Sequence, residues 1–238
     1  MTKLSVNINK IATLRNARGG DVPNVVQFAI DAQNFGAQGI TIHPRPDQRH
    51  IKYQDAFDLK PVVHTEYNIE GNPMNDFVQL VIQIKPTQVT LVPDAPDAIT
   101  SNAGWDTIKN RVFLTEMADE FRSHGIRTSI FVDPVEKQIE APRLLESIEL
   151  NCTPSLTPNS TEKIDKMPWP HLSLAQNWLT KLGLGVNADM TCHWRTLPFF
   201  GPKFRIYWKY QLVMLWCPRV SIMVLKKSLH HTLRNSDK

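Results

Sequence analysis

Several residues suited to proton transfer and phosphate binding follow short β-prone segments in the first 70 positions of the chain. His43 and Arg45 follow one such segment, and Glu70 follows the next. Histidine exchanges protons near neutral pH, and arginine binds phosphate through two parallel hydrogen bonds. A carboxylate whose pKa is raised by burial can act as a general base, which makes Glu70 a candidate for that role. These residue types indicate acid–base chemistry on a phosphorylated substrate.

Each of these residues, taken alone, also has a structural interpretation. A single histidine at a strand end is more often hydrogen bonded than catalytic, and Arg45 and Arg49 could be solvated surface charges. Glu70 could cap a helix that begins near Asn72. The functional interpretation is favoured because three successive strands, the first ending at Asn7, would place such groups at one edge of a sheet.

The elements that would position these residues alternate along the chain between short β-prone and longer helical segments. Glycine ends three of the helical segments, at Gly36, Gly125 and Gly183, and a strand follows each time. We predict strands at 4–8, 39–43, 66–70, 89–92, 128–132, 148–150 and 185–187, and helices at 23–35 and 106–124. An eighth unit fits in the remaining sequence. This order predicts an α/β protein with one (β/α)8 TIM-barrel domain over 1–238.

An open, doubly wound sheet is the alternative architecture for this alternation. Its dinucleotide-binding form is disfavoured because no glycine-rich loop follows the first strand. The strand ends of either fold could also serve an aldolase or isomerase. An aldolase of the Schiff-base type would need a strand-end lysine, for which only Lys10 is a candidate.

The overall composition is that of an ordinary globular protein, with 42% hydrophobic and 21% charged residues. No apolar segment is long enough to cross a membrane, and the N-terminus lacks the features of a signal peptide. Cys152, Cys192 and Cys217 have neither metal-ligand spacing nor the number expected of a disulfide framework. We therefore expect a cytoplasmic protein that binds no metal and no membrane.

The charge is distributed unevenly along the chain. Residues 166–238 contain 11 basic and two acidic residues, whereas 1–165 contain 16 basic and 21 acidic residues. A basic tail with Trp208, Lys209 and Tyr210 could bind single-stranded nucleic acid by stacking and phosphate contacts. We expect no nucleic-acid binding, because the tail contains no recognisable binding module and its composition has another explanation, given below.

Four segments match a known family in sequence and in order. They are Val6-Asn-Ile-Asn-Lys-Ile-Ala-Thr-Leu-Arg-Asn-Ala-Arg-Gly19, Gly39-Ile-Thr-Ile-His-Pro-Arg-Pro-Asp-Gln-Arg-His-Ile51, Asn68-Ile-Glu-Gly-Asn72 and Val89-Thr-Leu-Val-Pro93. Through these segments the chain resembles the pyridoxine 5′-phosphate synthases over residues 1 to about 150. Many members have Asp-His where this chain has Asn9-Lys10.

The resemblance implies an activity and a set of site residues. The family condenses 3-amino-2-oxopropyl phosphate with 1-deoxy-D-xylulose 5-phosphate, releasing phosphate and water. It implies no cofactor and a homo-oligomer, an octamer. His43 and Glu70 would transfer protons. Binding of the amino-ketone phosphate would fall to Asn7 and Arg18, and binding of the xylulose substrate to Asn9, Lys10, Arg45, His50 and Thr100.

The resemblance breaks at two sites in the last third of the chain. Met190 stands where the family has the proton-donor histidine of an Asn-Ala-Gly-His segment. Val213 and Met214 stand where it has a Gly-His pair that ends the eighth strand and binds phosphate. These three residues therefore belong to the predicted site by position only.

A displaced reading frame explains both breaks. Methionine has the single codon ATG, so Asp-Met and Val-Met after a guanine can be read one base earlier as Gly-His. The same shift converts glutamate codons to arginine or serine codons and creates tryptophan codons, and five of the six tryptophans lie beyond residue 150. We therefore regard residue identities in much of 151–182 and 189–238 as displaced, with Gly183 to Ala188 and Leu197 to Lys203 back in frame. A barrel damaged by true frameshifts and catalytically dead is the alternative.

Overall fold

Eight parallel strands form a closed barrel in which every strand pairs with its neighbours in chain order. The computed structural model describes residues 3–94, 104–133, 137–138, 147–151, 185–189 and 205–208. Strand β8 pairs with β1 in parallel and closes the sheet. The strands are β1 (Ser5–Asn7), β2 (Gly39–Ile42), β3 (Glu66–Gly71), β4 (Gln88–Leu91), β5 (Arg127–Val132), β6 (Ser147–Asn151), β7 (Gly185–Asp189) and β8 (Arg205–Trp208). The predicted (β/α)8 barrel is thereby confirmed, and the open-sheet alternative is wrong.

Five helices lie between the strands of the described residues, and each buries one face. They are α1 (Asn9–Arg18), α2 (Val25–Asn34), α3 (Tyr53–Leu59), α4 (Asn75–Ile84) and α5 (Arg111–Ser123). In α4 the buried residues are Phe77, Leu80, Val81 and Ile84, a spacing of three and four that keeps them on one side. None of the helices described here has the length and apolar character needed to cross a membrane.

Two predicted helices begin later in the structure, for local reasons. Helix α2 begins at Val25, because the side chain of Asn24 accepts a hydrogen bond from the backbone N–H of Gln27 and caps the helix. Helix α5 begins at Arg111, after a turn in which the side chain of Asp106 accepts from the N–H of Lys109 at 3.1 Å. A side-chain cap thus sets the start of α2, whereas α5 has no side-chain cap and follows the Asp106 turn.

The eighth strand falls within the part of the chain where an eighth unit was expected. It runs from Arg205 to Trp208. The segment 211–215, which the family resemblance matches to the end of this strand, lies outside the described residues, so that match stays a prediction.

Hydrogen-bonded polar side chains line one face of strands β1 to β4. Thr41 lies 2.8 Å from the hydroxyl of Ser5 and accepts from the Asn68 amide at 3.4 Å. Asn68 in turn accepts from Thr90 at 3.0 Å and from Gln88 at 3.2 Å. The alternate residues face the helices, since the hydroxyl of Tyr67 donates to the Ala56 carbonyl in α3. The polar set therefore faces the barrel interior, where branched apolar residues are usual.

Side chains two residues further along the same strands must share this interior face, because strand side chains alternate. Asn7, His43 and Glu70 stand two residues beyond Ser5, Thr41 and Asn68, respectively. The hydrogen-bonded polar side chains, which we call the polar ladder, thus lead to the carboxyl ends of β1, β2 and β3. Barrel enzymes have their active sites at this end.

We expect Phe121→Ala to destabilise the fold by about 3–5 kcal/mol, because it empties a buried aromatic position under α5. Phe121 is fully buried, whereas Phe113 on the same helix is 38% exposed. Phe113→Ala is the matched control and should cost less than about half as much. Chemical denaturation measures both. Equal losses in the two variants would contradict the packing of α5.

Candidate active site

The carboxyl ends of β1 and β2 are joined by two asparagine side chains. Asn7 Oδ1 accepts from the backbone N–H of Asn9 at 3.0 Å, and Asn9 Oδ1 accepts from the backbone N–H of His43 at 2.8 Å. Among the described residues, the buried Nδ2 of Asn7 has no hydrogen-bond acceptor. A buried amide donor without an acceptor is costly, so this atom is a candidate ligand contact.

His43 and Glu70 form the central pair of the site. Nδ1 of His43 lies 4.0 Å from Oε2 of Glu70. His43 is 8% exposed and Glu70 is 1% exposed. The distance suits an ion pair with a protonated histidine but exceeds a hydrogen bond, and catalytic contacts often shorten only when substrate binds.

The alternative role of Glu70 as a helix cap is not supported. Helix α4 begins at Asn75, its N-cap is Met74, and no side chain caps it. Glu70 lies inside β3 and pairs in register with Thr90 of β4. Its carboxylate is therefore oriented by the strand rather than by the helix start.

Arg45 is buried beside two carboxylates at the mouth of the barrel. Its Nη1 lies 3.4 Å from Oδ2 of Asp94, and its Nε lies 3.9 Å from Oδ1 of Asp47. Asp94 follows β4, and its backbone carbonyl accepts from the side chain of Asn72 at 2.8 Å. Asp94 was missed in the sequence, although an acid placed directly after the fourth strand was a signal for it.

A cavity opens next to this pair and shares its walls with the site. It is lined by His43, Arg45, Asn72, Asp94, Met74 and Phe77. At Gly71 a β-carbon would lie 2.2 Å from the ring of Phe77. A larger residue there would displace that ring into the cavity, so glycine keeps this wall of the site in place.

His50 lies edge-on to His43, with ring centroids 6.2 Å apart. Its Nδ1 accepts a hydrogen bond from the backbone N–H of Ile51 at 2.9 Å. Burial, and then the positive charge of Arg45, lowers the pKa of His50 from its ordinary 6.5 to about 4. His50 is therefore neutral at pH 7, with its proton on Nε2.

Two predicted binding residues lie on α1 and are exposed. Lys10 stands in the first turn, next to Asn9. Arg18 is the last residue of this helix, about 13 Å from Asn9 along the axis at 1.5 Å per residue. The helix therefore separates the backbone of Arg18 from Asn7, with which it was expected to bind the amino-ketone phosphate.

The remaining predicted site residues lie outside the described residues. These are Thr100, Met190, Val213 and Met214. Met190 directly follows Asp189, the last residue of β7, so its place in the chain is that of a strand end. In the part of the chain that the structure describes, no group of three or more His, Cys, Asp or Glu side chains could hold a metal ion.

The geometry defines a class of protein: a (β/α)8-barrel enzyme with a buried histidine–carboxylate pair and an arginine at the mouth of the barrel. A sequence model of one family, described as the pyridoxal phosphate biosynthesis protein PdxJ, matches residues 4–200. The chain belongs to this family.

Two relatives show how far the similarity extends. The chain is 54% identical to a pyridoxine 5′-phosphate synthase of Christiangramia forsetii over 202 residues, which is 84% of each chain. It is 48% identical to the enzyme of that name from Parabacteroides distasonis over 241 aligned positions, covering 99% of this chain and 96% of the relative. The similarity thus continues beyond residue 150.

Solved structures with low sequence identity share the barrel. A tryptophan synthase structure from M. tuberculosis matches with a TM-score of 0.63 at 8% identity, covering 99% of this chain and 92% of that one. A phosphoribosylanthranilate isomerase from Thermotoga maritima matches with a TM-score of 0.58 at 10% identity, covering 100% and 99%. At these identities the likeness concerns the fold alone.

The lowered pKa of His50 predicts a pH-dependent stability. Between pH 6.5 and about 4 the unfolded chain binds more protons at His50 than the folded chain does. The free energy of unfolding should therefore fall as the pH drops through this window. Arg45, Arg49 and Lys10 all strengthen the effect, whereas Asp47 opposes it.

His50→Asn should lose less stability than the unchanged protein between pH 6.5 and 4, as measured by denaturant unfolding at a series of pH values. Above about pH 7.5 the stability difference between the two proteins should stay nearly constant, because His50 is almost entirely neutral there in both states. If the free energies of unfolding of the two proteins ran parallel from pH 6.5 to 4, the folded structure would not disfavour the charged His50 ring, and the prediction would be wrong.

Proposed function

We propose that this protein condenses 3-amino-2-oxopropyl phosphate with 1-deoxy-D-xylulose 5-phosphate to give pyridoxine 5′-phosphate, phosphate and water. The observation that carries this proposal is the buried His43–Glu70 pair, 4.0 Å apart, at the strand ends of a barrel of this family. Arg45 and His50 beside it supply a cation and a neutral donor for a phosphorylated, hydroxylated substrate.

The pair has a role in joining the two substrates. The amine of one attacks the ketone of the other, the nitrogen loses a proton, and the carbinol oxygen must gain one to leave as water. Glu70 accepts a proton and His43 delivers one, and their proximity allows the proton to pass between them. The later ring closure needs the same kind of transfer.

Binding is assigned to the residues around this pair. The Nδ2 of Asn7 offers a buried donor to the phosphate of the amino ketone. The family resemblance assigns Arg18 to the same phosphate, which its long side chain would have to reach from the other end of α1. The xylulose substrate is bound by Asn9, Lys10, Arg45, His50 and Thr100. A Schiff-base aldolase is disfavoured because Lys10 is exposed on α1, whereas activated lysines are typically desolvated.

The proposal requires a proton donor after β7 and a phosphate-binding segment after β8. In this chain Met190 and the pair Val213–Met214 hold those positions, and a thioether has no proton to give. We therefore also propose that much of 151–182 and 189–238, apart from Leu197 to Lys203, derives from a displaced reading frame and that the functional chain has Gly-His at both sites. We further propose that the protein is a cytoplasmic homo-oligomer, as the family resemblance implies.

His43→Asn and Glu70→Gln should each lower kcat by about 10²–10⁴-fold, since each removes a general acid–base group. Formation of pyridoxine 5′-phosphate and release of phosphate measure the rate, with no metal or nucleotide added. Glu116→Gln, an exposed position on α5, is the control and should change kcat less than about twofold. Full activity in both site variants would refute the assigned roles.

Peptide mass mapping of the purified protein tests the displaced frame. If the reading is right, peptides that cover the ends of β7 and β8 will carry Gly-His at both sites. Peptides from residues 1–150 serve as the internal control and should match the sequence in full. Fragments with the masses of Asp189-Met190 and Val213-Met214 would refute the displaced frame and would leave the protein without its proton donor.

A further inference from the structure

A buried ion pair lies behind the segment that carries Arg45 and His50. Arg15 of α1 donates two parallel hydrogen bonds to Asp55 of α3, Nη1 to Oδ1 at 2.5 Å and Nη2 to Oδ2 at 2.8 Å. Both residues are buried, at 6% and 8% exposure. Oδ2 of Asp55 also accepts from the backbone N–H of Lys52 at 2.7 Å and so fixes the start of α3.

Asn16 links this ion pair to the segment that carries Arg45 and His50. Its Oδ1 accepts from Nε and Nη2 of Arg15 at 3.1 and 3.0 Å. Its Nδ2 donates to the backbone carbonyls of His50 at 2.8 Å and Arg49 at 3.2 Å. Nη2 of Arg15 reaches the His50 carbonyl as well, at 3.4 Å. The backbone at His50 is therefore held by hydrogen bonds from the side chains of Asn16 and Arg15.

The fixed backbone determines the chemical form of the His50 ring. A backbone N–H can only donate, so the hydrogen bond from Ile51 requires an unprotonated Nδ1. Ile51 is fully buried, which holds its N–H in place. The one remaining ring proton is on Nε2, and the ring can donate from that atom but cannot deliver a proton from Nδ1.

We propose that Arg15, Asn16 and Asp55, the Arg15 cluster, are positioning residues that hold His50 as an Nε2–H donor to an oxygen of the xylulose substrate. This inference rests on the proposed function for the identity of the substrate. The cluster touches no substrate itself, since its side chains contact the backbone of the segment 49–52. It acts on binding through the orientation of one imidazole ring.

A cluster that served stability alone would behave differently. Losing it would lower the free energy of unfolding and leave substrate affinity in the remaining folded protein unchanged. A positioning role predicts a change in affinity for one substrate and a change in the His50 ring, both measured in folded protein. Asn16→Ala is the best variant, because it removes the two shortest hydrogen bonds to the carbonyls of Arg49 and His50, leaves only the 3.4 Å contact from Arg15, and keeps the Arg15–Asp55 ion pair in place.

In Asn16→Ala the dissociation constant of 1-deoxy-D-xylulose 5-phosphate should rise by about 10–100-fold, the usual effect of losing one well-placed hydrogen bond to a charged or polar ligand. Isothermal titration calorimetry measures it. The KM for the amino ketone should change less than about threefold, because His50 is not assigned to that substrate. Asp55→Asn should raise the same dissociation constant.

Asp58→Asn is the matched control for Asp55→Asn. Asp58 is exposed on the same helix, where it accepts only from Gln54 among the hydrogen bonds described for its side chain. Its substitution should leave both substrate constants unchanged. An equal rise in the dissociation constant in Asp58→Asn would overturn the proposal, because the effect would then belong to α3 in general.

Nitrogen-15 NMR of histidine-labelled protein gives a readout that is independent of activity. In the unchanged protein His50 should show an unprotonated Nδ1 and a protonated Nε2 at pH 7. In Asn16→Ala the two nitrogens should move toward the averaged values of exchanging tautomers. His50→Gln identifies the signals and should remove them.

The outcomes separate the two proposals. If the protein forms no pyridoxine 5′-phosphate but Asn16→Ala still alters the His50 nitrogens, the proposed function fails and the fixing of the ring stands. If Asn16→Ala keeps both the dissociation constant and the His50 nitrogen signals of the unchanged protein, the positioning role is overturned, even where its melting temperature falls.

Discussion

The candidate site depends on the register of the parallel strands, which hydrogen bonds between polar side chains inside the barrel hold in place. Ser5, Thr41 and Asn68 link β1, β2 and β3 through these contacts. Asn7, His43 and Glu70 follow two residues later on their strands, on the same face and nearer the mouth. Slipping any strand by one residue would turn its site residue toward the helices and break a ladder contact. The ladder and the site therefore share one register.

The fold and the central pair could be predicted from local sequence. Alternating β-prone and helical segments with glycine at the junctions indicated the barrel, and His43 and Glu70 were placed together because parallel strands end at one edge. The Arg15–Asp55 pair could not be predicted, because its partners are 40 residues apart and neither has a local pattern. The neutral state of His50 also depends on burial and on Arg45, which only the folded chain brings near.

The position of β8 could not be predicted from local sequence. An eighth unit was expected in the remaining sequence without stated bounds, whereas the structure places the strand at Arg205–Trp208 by its pairing with β1 and β7. Closing a barrel requires both partners to be in register, which is a constraint on the whole sheet. A local pattern of residues carries no information about that constraint.

The two buried arginines near the site differ in the geometry of their carboxylate contacts and in their place relative to the cavity. Arg15 makes two parallel contacts of 2.5 and 2.8 Å with one carboxylate, the geometry of a bidentate pair. Displacing Asp55 from Arg15 would leave a buried charge unpaired, so this pair holds α1 against α3. Arg45 lies 3.4 and 3.9 Å from the carboxylates of Asp94 and Asp47. Arg45 lines the cavity next to His43 and Arg15 does not, which is why the substrate-binding role is proposed for Arg45 and a positioning role for Arg15.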